Sequence, residues 1–521
     1  MRVALISPFM PPTAMNFQFS MELIDCSYSH IPLNLLTIGA LTPAQVDVIL
    51  VDENVEEVDL DMNVDVVALT GTYTQRRRMF ELAGAFRARG KLVAFGGPVV
   101  IDCFEESRAQ ADVLFVGEAE LTWPRFCADY AKGDHQKIYR QEEPVDMALS
   151  PIPRFELLKP GRYSSGCVQA TRGCRYHCEF CDVPVKFGTI PRSKPVAQVV
   201  EEVRRLAALG FDSVFIVDDN FLAVRVYAKE LLIALAELVA ELPTPMYFYT
   251  QVPLNVAADD ELLELFHRAS FRRFFLGIET FDGDKLAAMD KEHNSELDVY
   301  EAVRKIQEHG ITVWAGIIVG LDDDDEQTFE DQYQFISRSG ITPTLVGLLQ
   351  AQPGTPLYER VEREGRLRKV ADIVGSGAIG TLEAQALTNI RPTRLDEATQ
   401  LSLTARFLRR VYAPEAVAER LILGVERSRK RSPPIFETIS AAGLKAILKT
   451  TAYYVTHREP RMRKHVQRIL TYLATHRLRG LDELIYHLVI YKHMYEYYHR
   501  AADLCDAAAR QITTHEVYLR D

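Results

Sequence analysis

The chain has 521 residues, enough for roughly two to four domains on the usual size scale. Hydrophobic residues make up 47% and charged residues 25%, an ordinary globular balance that excludes a disordered or fibrous chain. The net charge of −12 argues against a nucleic-acid partner, which needs a basic face, and eight cysteines in so long a chain are no disulfide framework.

Residues 1–145 alternate short apolar strands with helical periodicity. Strands are predicted at Val3–Ser7, Val46–Val51, Val64–Thr70, Lys91–Phe95 and Ala111–Val116, with a helix at Arg76–Arg89. That order predicts an open, doubly wound parallel sheet, Rossmann-like in outline. Such sheets bind ligands beyond the carboxyl ends of their strands. The residues at those ends are Ser7, Asp52-Glu53, Thr70-Gly71-Thr72-Tyr73, Gly96-Gly97 and Gly117-Glu118. No G-x-G-x-x-G follows the first strand, so a dinucleotide is disfavoured. The N-terminus runs directly into a strand without a leader pattern, and no apolar run approaches the length of a membrane span.

Residues 146–165 read as a proline-punctuated linker. From 166 to 368 a second alternation predicts a partial (β/α)6 barrel, with strands at 167–171, 213–218, 246–251, 273–279, 312–319 and 344–350. Its helices are predicted at 196–209, 226–241, 259–269, 296–309 and 326–339. Directly after the first strand lie Cys174, Cys178 and Cys181, spaced C-x3-C-x2-C. Three thiolates on one short loop can hold three irons of a [4Fe–4S] cube and leave the fourth open to a small molecule. A structural zinc site wants four ligands, usually in two separated pairs, and no second pair is near. The run Asp322–Asp325 precedes a helix and reads as a helix start rather than a metal site. From 369 to 521 the pattern is all-helical, with basic stretches at Arg406–Arg431 and Arg458–Arg479 and a tyrosine-rich final helix whose aromatic spacing reads as core.

The cysteine loop, with Phe180 before its last cysteine, resembles the signature of the radical S-adenosylmethionine (SAM) superfamily. The resemblance implies that SAM chelates the open iron and is cleaved to a 5′-deoxyadenosyl radical, with Phe180 near the adenine. It also implies SAM-binding roles for Asp218, Asp219 and Asn220 after strand two, Gln251 after strand three, Glu279 after strand four, and Gly316 and Ile317 on strand five. Residues 1–145, with Val-Asp-Glu-Asn, Gly-Gly-Pro and Val-Gly-Glu at successive strand ends, resemble the cobalamin-binding domain that precedes the radical domain in one large class. The strand-end residues named above would then bind cobalamin, with Tyr73 beneath the cobalt. The Asp-x-His-x-x-Gly lower-ligand motif is absent. Segments such as Pro191–Pro195 and Phe215–Phe221 are similar to the hopanoid C-2 methylase branch, whereas Met15–Asn34 is not.

The class implies methylation of an unactivated carbon of a small molecule or lipid, through methylcobalamin and the radical. It also implies an electron donor of the flavodoxin or ferredoxin type and a cytoplasmic setting, with peripheral membrane contact left open. Radical rearrangement or cyclisation without methyl transfer is the alternative. A tRNA methylthiotransferase is disfavoured, because Cys26, Cys103 and Cys127 lack cluster context and the tail is helical. A corrinoid carrier would not need the cysteine loop.

Overall fold

The structure, a computed structural model, describes residues 1–291, 294, 297–368, 387–428, 431, 441–476 and 481–515. In chain order the strands are β1 (Arg2–Ser7), β2 (Tyr28–His30), β3 (Asp47–Asp52), β4 (Val66–Thr70), β5 (Leu92–Gly96), β6 (Val113–Val116) and β7 (Ile138–Arg140). They are followed by β8 (Tyr163–Val168), β9 (Thr171–Arg172), β10 (Arg192–Ser193), β11 (Ser213–Ile216), β12 (Tyr247–Val252), β13 (Phe271–Glu279), β14 (Thr312–Val319) and β15 (Thr344–Leu348).

The first sheet is parallel throughout, in the order β3-β1-β4-β5-β6-β7. Val3, Ala4, Leu5 and Ile6 of β1 are all fully buried, because helices cover both faces of the sheet. One face packs on Met79, Leu82 and Phe86 of helix Arg76–Arg87, the other on Leu35, Trp123 and Phe126. The five expected strands are all present. β7 adds a sixth, too short at three residues to show a period in sequence.

The second sheet is parallel in the order β15-β14-β13-β12-β11-β8-β2 and curls into the partial barrel. Its edge strand β2 comes from the Met15–Asn34 segment and was not expected. The first barrel strand also differs: β8 begins at Tyr163, inside the stretch read as linker, and ends at Val168 rather than residue 171. Asp218 is the reason. Its carboxylate accepts hydrogen bonds from the backbone N–H groups of Ala170 (2.7 Å) and Thr171 (2.9 Å), pulling the chain out of the ladder. Thr171–Arg172 then pairs antiparallel with Arg192–Ser193, closing the base of a loop that contains all three cysteines of the motif.

The C-terminal region is helical as expected: Glu397–Val411, Pro414–Ser428, Ala441–Val455, Pro460–Thr475 and Leu481–His515. The last helix packs into the barrel core. Tyr498 lies 4.1 Å from Tyr412 ring to ring and accepts the N–H of Val346, and Arg273 of β13 makes a double hydrogen bond to Glu483. Of the basic stretch 458–479, Arg461 pairs with Glu415 and Arg468 with Glu419, while Arg477 and Arg479 lie outside the described residues. Among the described residues no helix is long and apolar enough to cross a membrane.

The final helix also grips the N-terminal segment. His493 is buried, with Nδ1 accepting the N–H of Phe19 and Nε2 meeting the carbonyl of Thr13, so the ring is neutral. Burial pushes its pKa down to about 4. The unfolded chain binds that proton more readily, so stability present above pH 6.5 is lost as pH falls toward 4, by about 3 kcal/mol at most. Urea unfolding at pH 7.5 and 5 should show this loss shrinking in His493→Gln, which keeps a donor and an acceptor but cannot charge.

Candidate active site

The cysteine loop leaves the barrel at the carboxyl end of β8, where barrel chemistry belongs. Cys174, Cys178 and Cys181 are free thiols, none fully buried. Gly173 turns the chain at φ +91°, where a Cβ would lie 3.0 Å from the carbonyl oxygen of Gly188. The loop is then fixed at several points. Glu179 donates its N–H to Met289 O (3.0 Å), and its carboxylate receives Arg360 at 2.7 and 2.9 Å. Burial raises the thiol pKa of Cys178 and pushes Cys181 up to about 12, and the neighbouring thiols add to both. Among the described residues no trio of His, Cys, Asp or Glu converges on a single ion. A cube attaches each thiolate to a different iron, so its sulfurs stand farther apart.

Around this loop the structure gathers most of the residues expected for SAM. A bulge between β13 and β14 at Gly277/Glu279, with Glu279 at φ +64°, redirects the Glu279 carboxylate. It pairs with the buried Lys291 at 2.5 Å, and a Cβ on Gly277 would lie 2.6 Å from Glu279 Oε1 and 2.7 Å from Lys291 Nζ. Lys291 stands 5.6 Å from the centre of the Phe180 ring. A Cβ on Gly316 would lie 3.6 Å from Glu279 Oε2. Asn220 points its amide at Cys174 Sγ (3.9 Å), and Asp219 is half-buried with its pKa pushed up to about 6 by burial, then by Asp182. Gln251 is half-buried, with its carbonyl accepting the N–H of Phe221. Ile317 is buried and paired on both sides, with Glu279 of β13 and Val346 of β15.

Asp218 corrects an expectation. Both its oxygens face Ala170 and Thr171, with Thr171 Oγ1 also donating at 2.7 Å, and the side chain is fully buried. Burial pushes its pKa up to about 7 against those three donors. It shapes the strand-to-loop turn, and full burial keeps both oxygens turned into the fold. Lys291 and Asn294 were missed by sequence reading, since nothing in their spacing marks them. Asn294 donates to the carbonyl of Gly277 and keeps a buried Oδ1 without a partner among the described residues.

A cavity of about 590 Å³ lies between the first sheet and the barrel. Ser7, Asp52, Thr70, Gly71, Thr72, Gly96, Gly97, Gly117 and Glu118 line it, as expected from their strand ends. Two expected residues do not. Glu53 is held by Arg78 and by the N–H of Phe9, and Tyr73 turns its ring under the Arg76 guanidinium at 4.8 Å. Tyr73 begins a 3₁₀ turn capped by Thr72 and Gln75, and that turn carries the ring away from the cavity. Tyr73→Phe should therefore leave cobalamin affinity unchanged, as an absorbance titration would show. On the barrel side the wall includes His30, Ile31, Cys167, Gln169, Phe215 and Val217. Asp322–Asp325 is a helix start as expected: Asp325 caps helix Glu326–Ser339, while Asp322 binds Arg360 and Arg366 and Asp324 binds Lys285. Cys103 and Cys127 are buried, Cys127 in the core of the first domain, and Cys26 packs against the barrel core.

The radical SAM superfamily profile matches residues 168–336, the stretch that contains the cysteine loop and barrel strands β11 to β14. Over 374 residues the chain is 37% identical to the hopanoid C-2 methylase of Rhodopseudomonas palustris, covering 70% of this chain and 71% of that one. The chain belongs to the radical SAM superfamily. It groups there with methyltransferases, including an uncharacterized methyltransferase of Synechocystis that is 36% identical over 399 residues, 76% of this chain and 73% of the relative. Residues 355–506 match a domain of unknown function. In fold, the whole chain resembles the cobalamin-dependent SAM radical enzyme OxsB (TM-score 0.60, 14% identity, 82% of that chain). It also resembles the radical SAM methyltransferase TsrM of Kitasatospora setae (TM-score 0.56, 17% identity, over 90% of this chain and 99% of that one).

Proposed function

We propose that this chain is a cobalamin-dependent radical SAM methyltransferase that places a methyl group on an unactivated carbon of a small-molecule or lipid substrate. The observation that carries the reading is the shared cavity: strand ends of the first sheet and inward residues of β8 and β11 line one space, beside the cysteine loop. The cluster and SAM, when bound, supply a 5′-deoxyadenosyl radical, and cobalamin supplies the methyl group.

The residues fit these groups. The three thiols are the donor set of a site-differentiated cube. A Cβ on Gly97 would lie 2.4 Å from Thr70 Oγ1, so glycine there keeps the strand-end loops close together and leaves the space above them clear. The cavity continues between the sheet and helix Leu33–Leu41, over the small side chains of Ala68 and Ala94, a slot for the elongated tail of a corrinoid. His30 is the one histidine among the described lining residues. It lies on the barrel side with its nitrogens 2.8 Å from Ser29 Oγ and 2.9 Å from Tyr249 OH. Among the described residues, the sheet side of the cavity presents no imidazole.

The chain's own work is positioning and exclusion. Asp218 sets the turn into the cysteine loop, and Arg360 clamps Glu179 within it. Glu279, Asn220 and Asp219 stand ready to receive SAM, while Ile31, Phe215 and Val217 keep water from the space where a radical would stand. An external one-electron donor of the flavodoxin or ferredoxin type, in a reducing compartment such as the cytoplasm, completes the reading. The methylase and methyltransferase names of the relatives favour methyl transfer over rearrangement. Anaerobic reconstitution tests the reading: the protein should take up stoichiometric cobalamin and transfer the methyl of SAM to the reduced cofactor. A chain that binds the cluster but no cobalamin would refute it.

A further inference from the structure

Glu118 lines the cavity, yet its carboxylate is already occupied. Oε1 accepts Arg172 Nη1 at 2.9 Å and Arg192 Nη2 at 2.8 Å, and Oε2 accepts Arg192 Nη1 at 2.8 Å and the N–H of Val145 at 2.6 Å. Arg172 also meets Glu120 at 3.0 Å. The side chains of Glu118, Arg172 and Arg192 are only 10–14% exposed. Arg172 and Arg192 stand directly opposite each other in the β9/β10 ladder, at the two ends of the loop that carries Cys174, Cys178 and Cys181. Glu118 comes from the other sheet, two residues beyond β6. One carboxylate from the first sheet thus closes the base of the cysteine loop.

The electrostatics favour a fixed geometry. The arginines lower the pKa of Glu118 against the effect of its burial, so it is charged in the native state. Removing it leaves Arg172 with Glu120 and Arg192 with only the carbonyls of Val145 and Phe187, and bidentate arginine pairs resist reorientation more than single contacts do. A second tie runs in parallel, from Lys186 at the end of the loop to Asp102 beyond β5.

We propose that Glu118 is a positioning residue that sets the cysteine loop at a fixed distance from the strand ends of the first sheet, and so sets the distance between the radical source and the methyl source. The second half of this statement rests on the function proposed above. The first half does not, and the test separates them. Nitroxide labels carried on unnatural amino acids at the exposed positions Arg108, in the first domain, and Val226, on the barrel, report the interdomain distance without any cofactor. In the second arm, the cobalt(II) and reduced-cluster signals of the loaded protein report the cofactor separation through their dipolar coupling.

Wild type should give a single narrow distance in both arms. Glu118→Gln and, independently, Arg192→Gln should lose it in both, while iron content stays at the wild-type level. Narrow, unchanged distances in both variants would overturn the proposal. So would loss of iron in Glu118→Gln with an unchanged label distance, because the carboxylate would then serve only the fold of the loop. If wild type binds no cobalamin, the functional reading fails, and the nitroxide arm still decides whether Glu118 is the clamp.

Discussion

Replacing Cys174, Cys178 and Cys181 together by alanine should remove about four irons per chain, the content of one [4Fe–4S] cluster, and abolish 5′-deoxyadenosine formation. The expectation is sharp because the other five cysteines are not placed to rescue the cluster. Cys103, Cys127, Cys167 and Cys505 are buried, and Cys26 packs against the barrel core. The fold should survive the change. The three thiols are only partly buried, and the loop keeps its backbone bond to Met289 and its Glu179–Arg360 clamp. Circular dichroism with iron analysis separates the two effects. Iron and SAM cleavage retained in the triple variant would show that the cluster is held elsewhere.

The second large effect is expected at Glu279. Glu279→Ala removes the partner of a buried ammonium, which costs about 3–5 kcal/mol when a buried pair is broken from one side. Lys291 is 7% exposed and cannot easily reach water. A lower melting temperature is therefore expected together with weaker SAM binding, and the alanine variant alone confounds the two. Glu279→Gln keeps the shape and a hydrogen-bond acceptor, so it should recover much of the stability and still bind SAM more weakly. Asp219→Ala should weaken SAM with little loss of stability, since Asp219 is half-buried and makes no ion pair among the described residues. Equilibrium binding of SAM to the cluster-loaded variants decides. Wild-type affinity in both Glu279→Gln and Asp219→Ala would make these residues structural.

Parts of this site were legible because local pattern carried them. β1, β4 and β5 are buried on both faces and so read as continuous apolar runs, and the strand ends that line the cavity followed from their position alone. The cysteine spacing fixed one loop in one place. Other parts depend on partners far apart in sequence. Asp218 looked like a ligand residue at a strand end, but its orientation is set by Thr171, 47 positions earlier. Glu118 looked free until Arg172 and Arg192 came together across a two-residue ladder that no period could announce. β2 and β7, three residues each, lie below the length at which alternation can be counted. Tyr73 differs for a local reason: it opens a 3₁₀ turn just beyond β4, and its ring packs under the Arg76 guanidinium.

Met15–Asn34 matters for the same reason. It supplies β2, which carries Tyr28 and His30 to the cavity wall.

The central claim is methyl transfer to carbon driven by a radical made at the cysteine loop. Anaerobic incubation of the reconstituted protein with cobalamin, a reductant, methyl-deuterated SAM and a host metabolite extract tests it most directly, with mass spectrometry as the readout. A metabolite carrying an intact trideuteromethyl group, formed together with 5′-deoxyadenosine and absent with the triple cysteine variant, is the predicted result. Formation of 5′-deoxyadenosine with an isomerised but unlabelled product would contradict the account.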